Sequence, residues 1–369
     1  MAPVLVFLII LIHLCVIIFI PAGCCGSILT SGKNSKFTAV LVFGDSTVDT
    51  GNNNYIVTVA KGDHPPYGRD FPGHIPTGRF SNGKLVPDFI ASFLGIKDTV
   101  PPFLEPGLSN KDLKTGVAFA SGGSGYDDLT TVVSGAIPVS QQLKYFKEYI
   151  QRLRNAVGDK DAEKIIAGAL VIISAGTNDF ILNFYDIPTR RLEFNISQYQ
   201  DFLLARISDF VSELYKLGCR KLVIAGLPPM GCLPIQMTLR FAEIKDRKCV
   251  EDENMDAQIY NRKLAKLLSE RQAELLQSKI VYADAYEPLI DMIHHPQKYG
   301  FVDTDRGCCG KGYIEVGPLC NGITRTCENA SEYLFWDAIH PTESAYYYLI
   351  KYLEKQVLPQ LLFHPTSQT

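Results

Sequence analysis

The sequence predicts an α/β protein, a three-layer α/β/α arrangement around one open sheet of about five parallel strands. Three observations carry that prediction. Five apolar, β-rich runs recur along the chain, at 37–43, 116–120, 168–176, 220–228 and 279–285. None alternates polar with apolar residues, the pattern of strands buried on both faces, and such strands belong to parallel sheets covered by helices. Segments of helical period separate the runs, so strand and helix alternate along the chain.

The elements follow in order. "FTAVLVF" at 37–43 is the first strand, and helices are expected at 82–94 and 139–155 around the second run, "GVAFA". After "GALVIISAG", the segment 197–217 places Tyr199, Phe202, Leu203, Ile207, Phe210, Val211 and Leu214 on one stripe. Ser197 is its expected N-cap and Gly218 its stop. A long helical pattern across "ENMDAQIYNRKLAKLLSERQAELLQ" precedes the last run, and helices at 286–294 and 342–357 follow it, the latter capped by Thr342. Pro- and Gly-rich loops fill 62–78, 99–109 and 300–327. With no repeat, heptad array or linker, residues 36–360 read as a single domain.

The first 26 residues read differently. Val4 to Ile20 is apolar except for His13, and small residues follow it. Its 17 positions exceed a typical secretory core yet fall short of the roughly 20 that a membrane helix needs. Residues 1–26 are therefore expected to be a cleaved signal peptide, with an uncleaved anchor as the alternative. Over the whole chain composition is ordinary: 46% hydrophobic, 20% charged, a formal net charge of -3 and a mean hydropathy of +0.05. That balance leaves no basic footprint for nucleic acid and neither favours nor excludes a lipid surface, where contact would be transient.

Ten cysteines are present, three of them in or beside the leader. Of the rest, Cys232, Cys249, Cys308, Cys309, Cys320 and Cys327 suit three disulfides of undetermined pairing, and Cys219 at a strand mouth is the odd one. Adjacent Cys308 and Cys309 lack the spacing of a zinc knuckle, so no metal is expected. Asn195 in "NIS" and Asn329 in "NAS" are N-glycosylation acceptors. Leader, cysteines and acceptors together point to a secreted protein of the extracellular space or cell wall, with an endomembrane compartment as the alternative.

"FGDSTVDTGNNN" puts Ser46 three residues past the first strand, where free N–H groups favour an oxygen gaining negative charge. A serine needs a base. "WDAIHPT" offers Asp337 and His340 three residues apart, with Pro341 taking the chain out of helix, although such a pair also closes ordinary polar turns. "ISAGTNDF" sets Asn178 at another strand exit as a side-chain donor, and in "GVAFASGGSGYD" either Gly122 or Gly123 brings a backbone N–H near a substrate. Asp45 and Asp49 are expected to hold the turn around Ser46. His64, His74, His294 and His295 sit in loops or at a helix end without carboxylate spacing for a metal, and Tyr346, Tyr347 and Tyr348 are assigned to helix packing.

These segments resemble the plant-type GDSL esterase/lipase family of the SGNH hydrolase superfamily over nearly the whole chain after the leader. "PPYGRDFPGHIPTGRFSNGKLVPDFIA", "IAGLPPMGCLP" and "LFWDAIHPT" carry the likeness as well. The resemblance implies a flavodoxin-like sheet and a triad of Ser46, Asp337 and His340. It also implies an oxyanion hole from the Ser46 N–H, the Gly123 N–H and the Asn178 side chain, with no cofactor. The expected reaction is hydrolysis of carboxylic esters, lipid or other, through a covalent acyl-enzyme. Thr47 replaces the usual leucine after the serine, and Ala118 replaces a usual asparagine, which is expected to loosen the loop holding Gly123. G-x-S-x-G is absent around Ser46, so the α/β-hydrolase elbow does not apply. Two other readings share these residues: acyl transfer to an alcohol, and a catalytically silent secreted binding protein. Acyl length, alcohol moiety and oligomeric state have no signature in the sequence.

Overall fold

A computed structural model describes residues 37–362, so the expected leader lies outside the described residues. Strands β1 (Val40–Gly44), β2 (Leu170–Ser174), β3 (Lys221–Ala225) and β4 (Lys279–Ala283) form one parallel sheet in that spatial order. The run at 116–120, expected as a fifth strand, does not form a regular one. It lies along the outer edge of β1, where the Val42 N–H donates to the Val117 carbonyl (3.2 Å) and the Phe119 N–H to the Val42 carbonyl (2.7 Å). Its other side meets Pro101 and Pro102, and Pro102, opposite Ala118, has no N–H with which to extend a ladder. With this segment included, the order becomes the 2-1-3-4-5 of a flavodoxin-like sheet, whose direction of winding reverses at β1.

Helices of eight residues or more, numbered in chain order, are α1 (Val86–Phe93), α2 (Val139–Val157), α3 (Asp159–Gly168), α4 (Ile196–Lys216), α5 (Glu251–Glu274), α6 (Tyr286–His294) and α7 (Glu343–Gln356). Successive side chains of a strand point to opposite faces. Leu41, Phe43, Val171, Ile173, Leu222 and Ile224 accordingly bury one face against α2 to α5. Val40, Val42, Leu170, Ile172, Val223 and Val281 bury the other against α1 and the segment after α7. Both faces are apolar, which is why the strands show no alternation.

Two helix starts test the capping analysis. Thr342 caps α7 as expected, accepting the Ala345 N–H at 3.3 Å. Asn195, not Ser197, caps α4: its side chain accepts the Gln198 N–H while the Gln198 side chain accepts the Asn195 N–H, both at 3.0 Å. This reciprocal box satisfies two end donors at once, where Ser197 would have satisfied one. The 300–327 segment, expected as loop, begins with β5 (Asp303–Gly307), which pairs in parallel with β6 (Tyr333–Phe335) just ahead of Asp337.

The disulfides are Cys232–Cys249, Cys308–Cys327 and Cys309–Cys320. They leave none of these sulfurs for zinc, and two of them staple the stretch that leads into β6. Cys219 is free and buried, and burial pushes its thiol up to about 12, so it is unreactive while folded. Among the described residues no helix is long and apolar enough to cross a membrane.

Candidate active site

The site begins with a glycine that must be one. At the end of β1, Gly44 has φ of +138°, and a Cβ there would fall 1.9 Å from the Ser174 carbonyl oxygen. Glycine alone lets the two strand ends close up, after which the Asp45 N–H donates to that same carbonyl at 2.9 Å. Gln142 of α2 then seals the strand end. Its side chain accepts the Gly44 N–H and donates to the Gly44 carbonyl, both at 2.8 Å. Ser46 sits on the turn that follows, 7% exposed.

Polar side chains hold that turn. The Asp45 carboxylate accepts the Thr47 N–H (2.9 Å) and hydroxyl (2.7 Å), and the Thr47 and Ser174 hydroxyls are 2.9 Å apart. The threonine in place of leucine therefore adds a link between β1 and β2. Asp49 accepts the N–H groups of Gly51 and Asn52 at 2.8 Å and that of Gly122 at 2.9 Å. Asn52 donates to the carbonyls of Ala118 and Ala120, and Asn53 to those of Ala60 and Gly122. The asparagine run thus ties the nucleophile turn to the Gly122–Gly123 loop through backbone atoms. Ala118 takes part in this tie through its backbone carbonyl.

The candidate base, His340, lies far along the chain from Ser46. Asp337 accepts the N–H groups of Ile339 and His340, both at 2.8 Å, and this tight turn aims the imidazole. His340 Nδ1 lies 2.9 and 2.8 Å from the two Asp337 oxygens, and its Nε2 lies 2.8 Å from Ser46 Oγ. With Nδ1 facing a carboxylate, the proton belongs on Nδ1 and Nε2 is left to accept from the serine. Phe80 covers the ring at a centroid distance of 5.1 Å, and Asp337 and His340 are 0% and 4% exposed. Tyr67 was not singled out from the sequence, yet its hydroxyl donates to Asp337 Oδ2 at 2.7 Å and accepts the Gly317 N–H at 2.8 Å. Burial and the Asp337 carboxylate raise the Tyr67 phenol well above its ordinary value, so it stays a donor.

The candidate oxyanion donors lie on the loops that follow the neighbouring segments of the sheet. Asn178, just past β2, donates to the Ser124 carbonyl at 2.9 Å, which leaves its second amide hydrogen available. Asp179 anchors the same loop by accepting the N–H groups of Tyr126 (2.9 Å) and Asp127 (3.0 Å) and the Thr130 hydroxyl (2.5 Å). Gly123 has φ of +87°. Neither its N–H nor that of Ser46 has an acceptor among the described residues, whereas the Gly122 N–H is committed to Asp49. These two N–H groups are therefore candidate donors to a developing oxyanion. Of the other histidines, His64 packs edge-on to Tyr67, His74 bonds to the Arg69 carbonyl and His295 to Asp291. Tyr346 is buried beneath the site, not only packed along its helix.

The sequence signal for Gln142 was present but unread: it is a polar residue on the otherwise apolar stripe Val139, Phe146, Tyr149 and Leu153 of α2. Tyr67 had no comparable signal, lying within a proline-rich loop.

The buried carboxyls give the fold a pH dependence. Burial raises Asp45 and Asp49 from 3.8 to about 6 and Asp179 to about 7, and raises Glu253 from 4.5 to about 7. Each group binds its proton more tightly folded than unfolded. The stability this contributes is complete below the unfolded value and is lost as pH rises through the folded one. Asp291, held down to about 2 by Lys298 and Tyr299, is ionised throughout that window. Urea unfolding should therefore show a lower midpoint at about pH 8 than at about pH 5. A midpoint that rises over the interval would contradict these assignments.

Comparison with known proteins places this geometry. The model of the GDSL-like lipase/acylhydrolase family matches residues 40–353. GDSL esterase/lipase At2g30310 of Arabidopsis thaliana is 59% identical over 87% of this chain and 90% of its own length. GDSL esterase/lipase At1g58430 and GDSL esterase/lipase At2g40250 of the same plant are 53% and 46% identical over 91% of this chain, covering 93% and 94% of theirs. The chain belongs to the GDSL-like lipase/acylhydrolase family.

Proposed function

We propose that this protein hydrolyses carboxylic esters with Ser46 as nucleophile, His340 as general base and acid, and Asp337 as the group that orients and stabilises the imidazole. The observation that carries the reading is the 2.8 Å approach of His340 Nε2 to Ser46 Oγ across 294 positions of sequence. Nε2 takes the serine proton as Oγ bonds to the ester carbonyl carbon. The carbonyl oxygen becomes an oxyanion facing the Ser46 and Gly123 N–H groups and the free Asn178 hydrogen. Collapse breaks the bond to the alcohol oxygen, which leaves with the proton from Nε2. Water then repeats the sequence on the acyl-enzyme, giving the acid and restoring Ser46.

Ser46→Ala should abolish fluorophosphonate labelling, and Asn178→Ala should lower kcat by roughly two to three orders of magnitude with the protein still folded. Undiminished labelling of the serine variant would remove Ser46 from the mechanism.

We also propose that the protein enters the secretory pathway and acts outside the cell. Three disulfides and two solvent-exposed acceptors, Asn195 and Asn329, support this. A glycan on Asn195 Nδ2 leaves Oδ1 to cap α4, so modification and fold are compatible. Enzymatic removal of N-glycans should lower the mass of the secreted protein, and Asn195→Gln with Asn329→Gln should abolish that shift. An unglycosylated protein retained inside the cell would overturn the proposal.

Transient contact with a lipid surface is the third element. Val57 (99% exposed) and Val59 (64%) lie on a loop and Val132 (72%) and Val133 (64%) on the short helix Thr130–Ser134; the Val59 N–H to Ser134 carbonyl bond joins the two, and Ser134 abuts Gly123. This apolar rim borders the proposed oxyanion donors. The double variant Val57→Asp, Val133→Asp should lose at least about tenfold in binding to phosphatidylcholine vesicles, since each valine contributes on the order of 1.5 kcal/mol. Equal retention by the variant would sink the proposal.

A further inference from the structure

We infer that Tyr67 is a positioning residue for the acid–base pair: its phenol locks the plane of the Asp337 carboxylate, and the Cys309–Cys320 loop locks the phenol. The inference rests on the ester-hydrolase reading above. The two Asp337 oxygens are held differently. Oδ1 accepts two backbone N–H groups of its own turn, those of Ile339 and His340. Among the described residues Oδ2 accepts from the imidazole and from one other donor, the Tyr67 hydroxyl at 2.7 Å. Without that hydroxyl the carboxylate is pinned by the protein backbone at one oxygen alone and can turn about its Cβ–Cγ bond, a torsion with broad minima. The imidazole, whose Nδ1 lies 2.9 and 2.8 Å from the two oxygens, would lose its fixed partner.

Chemistry fixes the direction of each hydrogen bond. A carboxylate only accepts and a backbone N–H only donates. Tyr67 stands between the two: the Gly317 N–H donates to its oxygen at 2.8 Å, so the phenol proton points at Asp337. Gly317 has φ of +53° and lies inside the loop closed by Cys309 and Cys320, 11 positions apart. The same loop reaches the turn bearing Asp337 twice more. The Glu315 carbonyl accepts the Ala338 N–H at 2.9 Å, and the Cys309 N–H donates to the Trp336 carbonyl at 2.8 Å. Tyr67 itself is buried, with its ring edge-on to Phe80 and Trp336. A carboxylate fixed before the reaction stabilises the charge that forms during it without reorganising. That charge is the imidazolium made when Nε2 takes the serine proton, so the effect of Tyr67 falls on turnover and not on substrate binding.

The test is kcat and KM for p-nitrophenyl butyrate on the full-length protein, with fluorophosphonate labelling followed over hours so that slow variants are read as well. Tyr67→Phe keeps the ring and removes the hydroxyl. It should lower kcat at least about tenfold, the factor for losing a hydrogen bond to a charged group, with KM within about twofold of wild type. In an Asp337→Ala background the same change should leave the labelling rate where it was, because the group it acts through is gone. Unchanged kcat in Tyr67→Phe would overturn the inference, as would an equal loss in both backgrounds, which is what a general loosening of the fold gives. If Tyr67→Phe shows no cooperative melting transition, the double variant Cys309→Ser, Cys320→Ser decides. Freeing the loop should lower kcat with KM retained, and an unchanged kcat there would overturn the inference. Failure of the hydrolase reading is distinguishable: wild type then neither turns over the ester nor takes up label at Ser46.

Discussion

Asp49 never touches Ser46 in any hydrogen bond, yet the arrangement around the serine depends on it. Its carboxylate, fully buried, accepts backbone N–H groups from two loops that leave different elements of the sheet. One loop carries the nucleophile and the other carries Gly123. Burying a carboxyl without partners is strongly unfavourable, so those donors and the carboxylate hold one another in place. Asn52 and Asn53 extend the same tie to the carbonyls of 118–122, and Asp179 with Asn178 fastens that loop again from the β2 side. The loop bearing Gly123 is thus gripped from both flanks by polar side chains that bind backbone, which keeps its geometry independent of what occupies the cleft.

The sheet explains why these loops meet. Chain winding reverses at β1, so the connections from its two neighbours diverge and leave a crevice above its carboxyl end. Ser46 rises from β1 itself, Gly123 from the edge segment on one side and Asn178 from β2 on the other. The fourth contribution, Asp337 and His340, arrives from the C-terminal region on the α7 side of the sheet. Its turn is held by Tyr67, which in turn bonds to the disulfide-tied stretch at Gly317. The disulfides therefore bear on the base as well as on the loop, because the segment they fasten braces the hydrogen bond to Asp337.

The two faces of the sheet divide the labour. The face against α2 to α5 is packed with aromatic rings, among them Phe43, Phe119 and Phe146 in mutual contact, and is rigid support. The face toward α1 and α7 is aliphatic and incompletely filled, and it lies under the turn bearing His340.

Residue order alone determined the sheet class, the helix periods, the candidate triad, the odd cysteine and the acceptor asparagines. Each of these is written in local pattern: unbroken apolar runs, a 3.6-residue stripe, or a motif of a few residues. What only the tertiary structure decided were contacts between distant segments. The 116–120 run stops short of a strand because prolines elsewhere in the chain lie against it. Asn195 rather than Ser197 caps α4 because the reciprocal bond with Gln198 satisfies two donors instead of one. Gln142 and Tyr67 became part of the site only when folding brought them to Gly44 and Asp337, 98 and 270 positions away. The pairing of the cysteines, the cavity under the reacting turn and the 2.8 Å between imidazole and serine are likewise distances in space. No periodicity encodes such distances, because they are set by how whole layers pack.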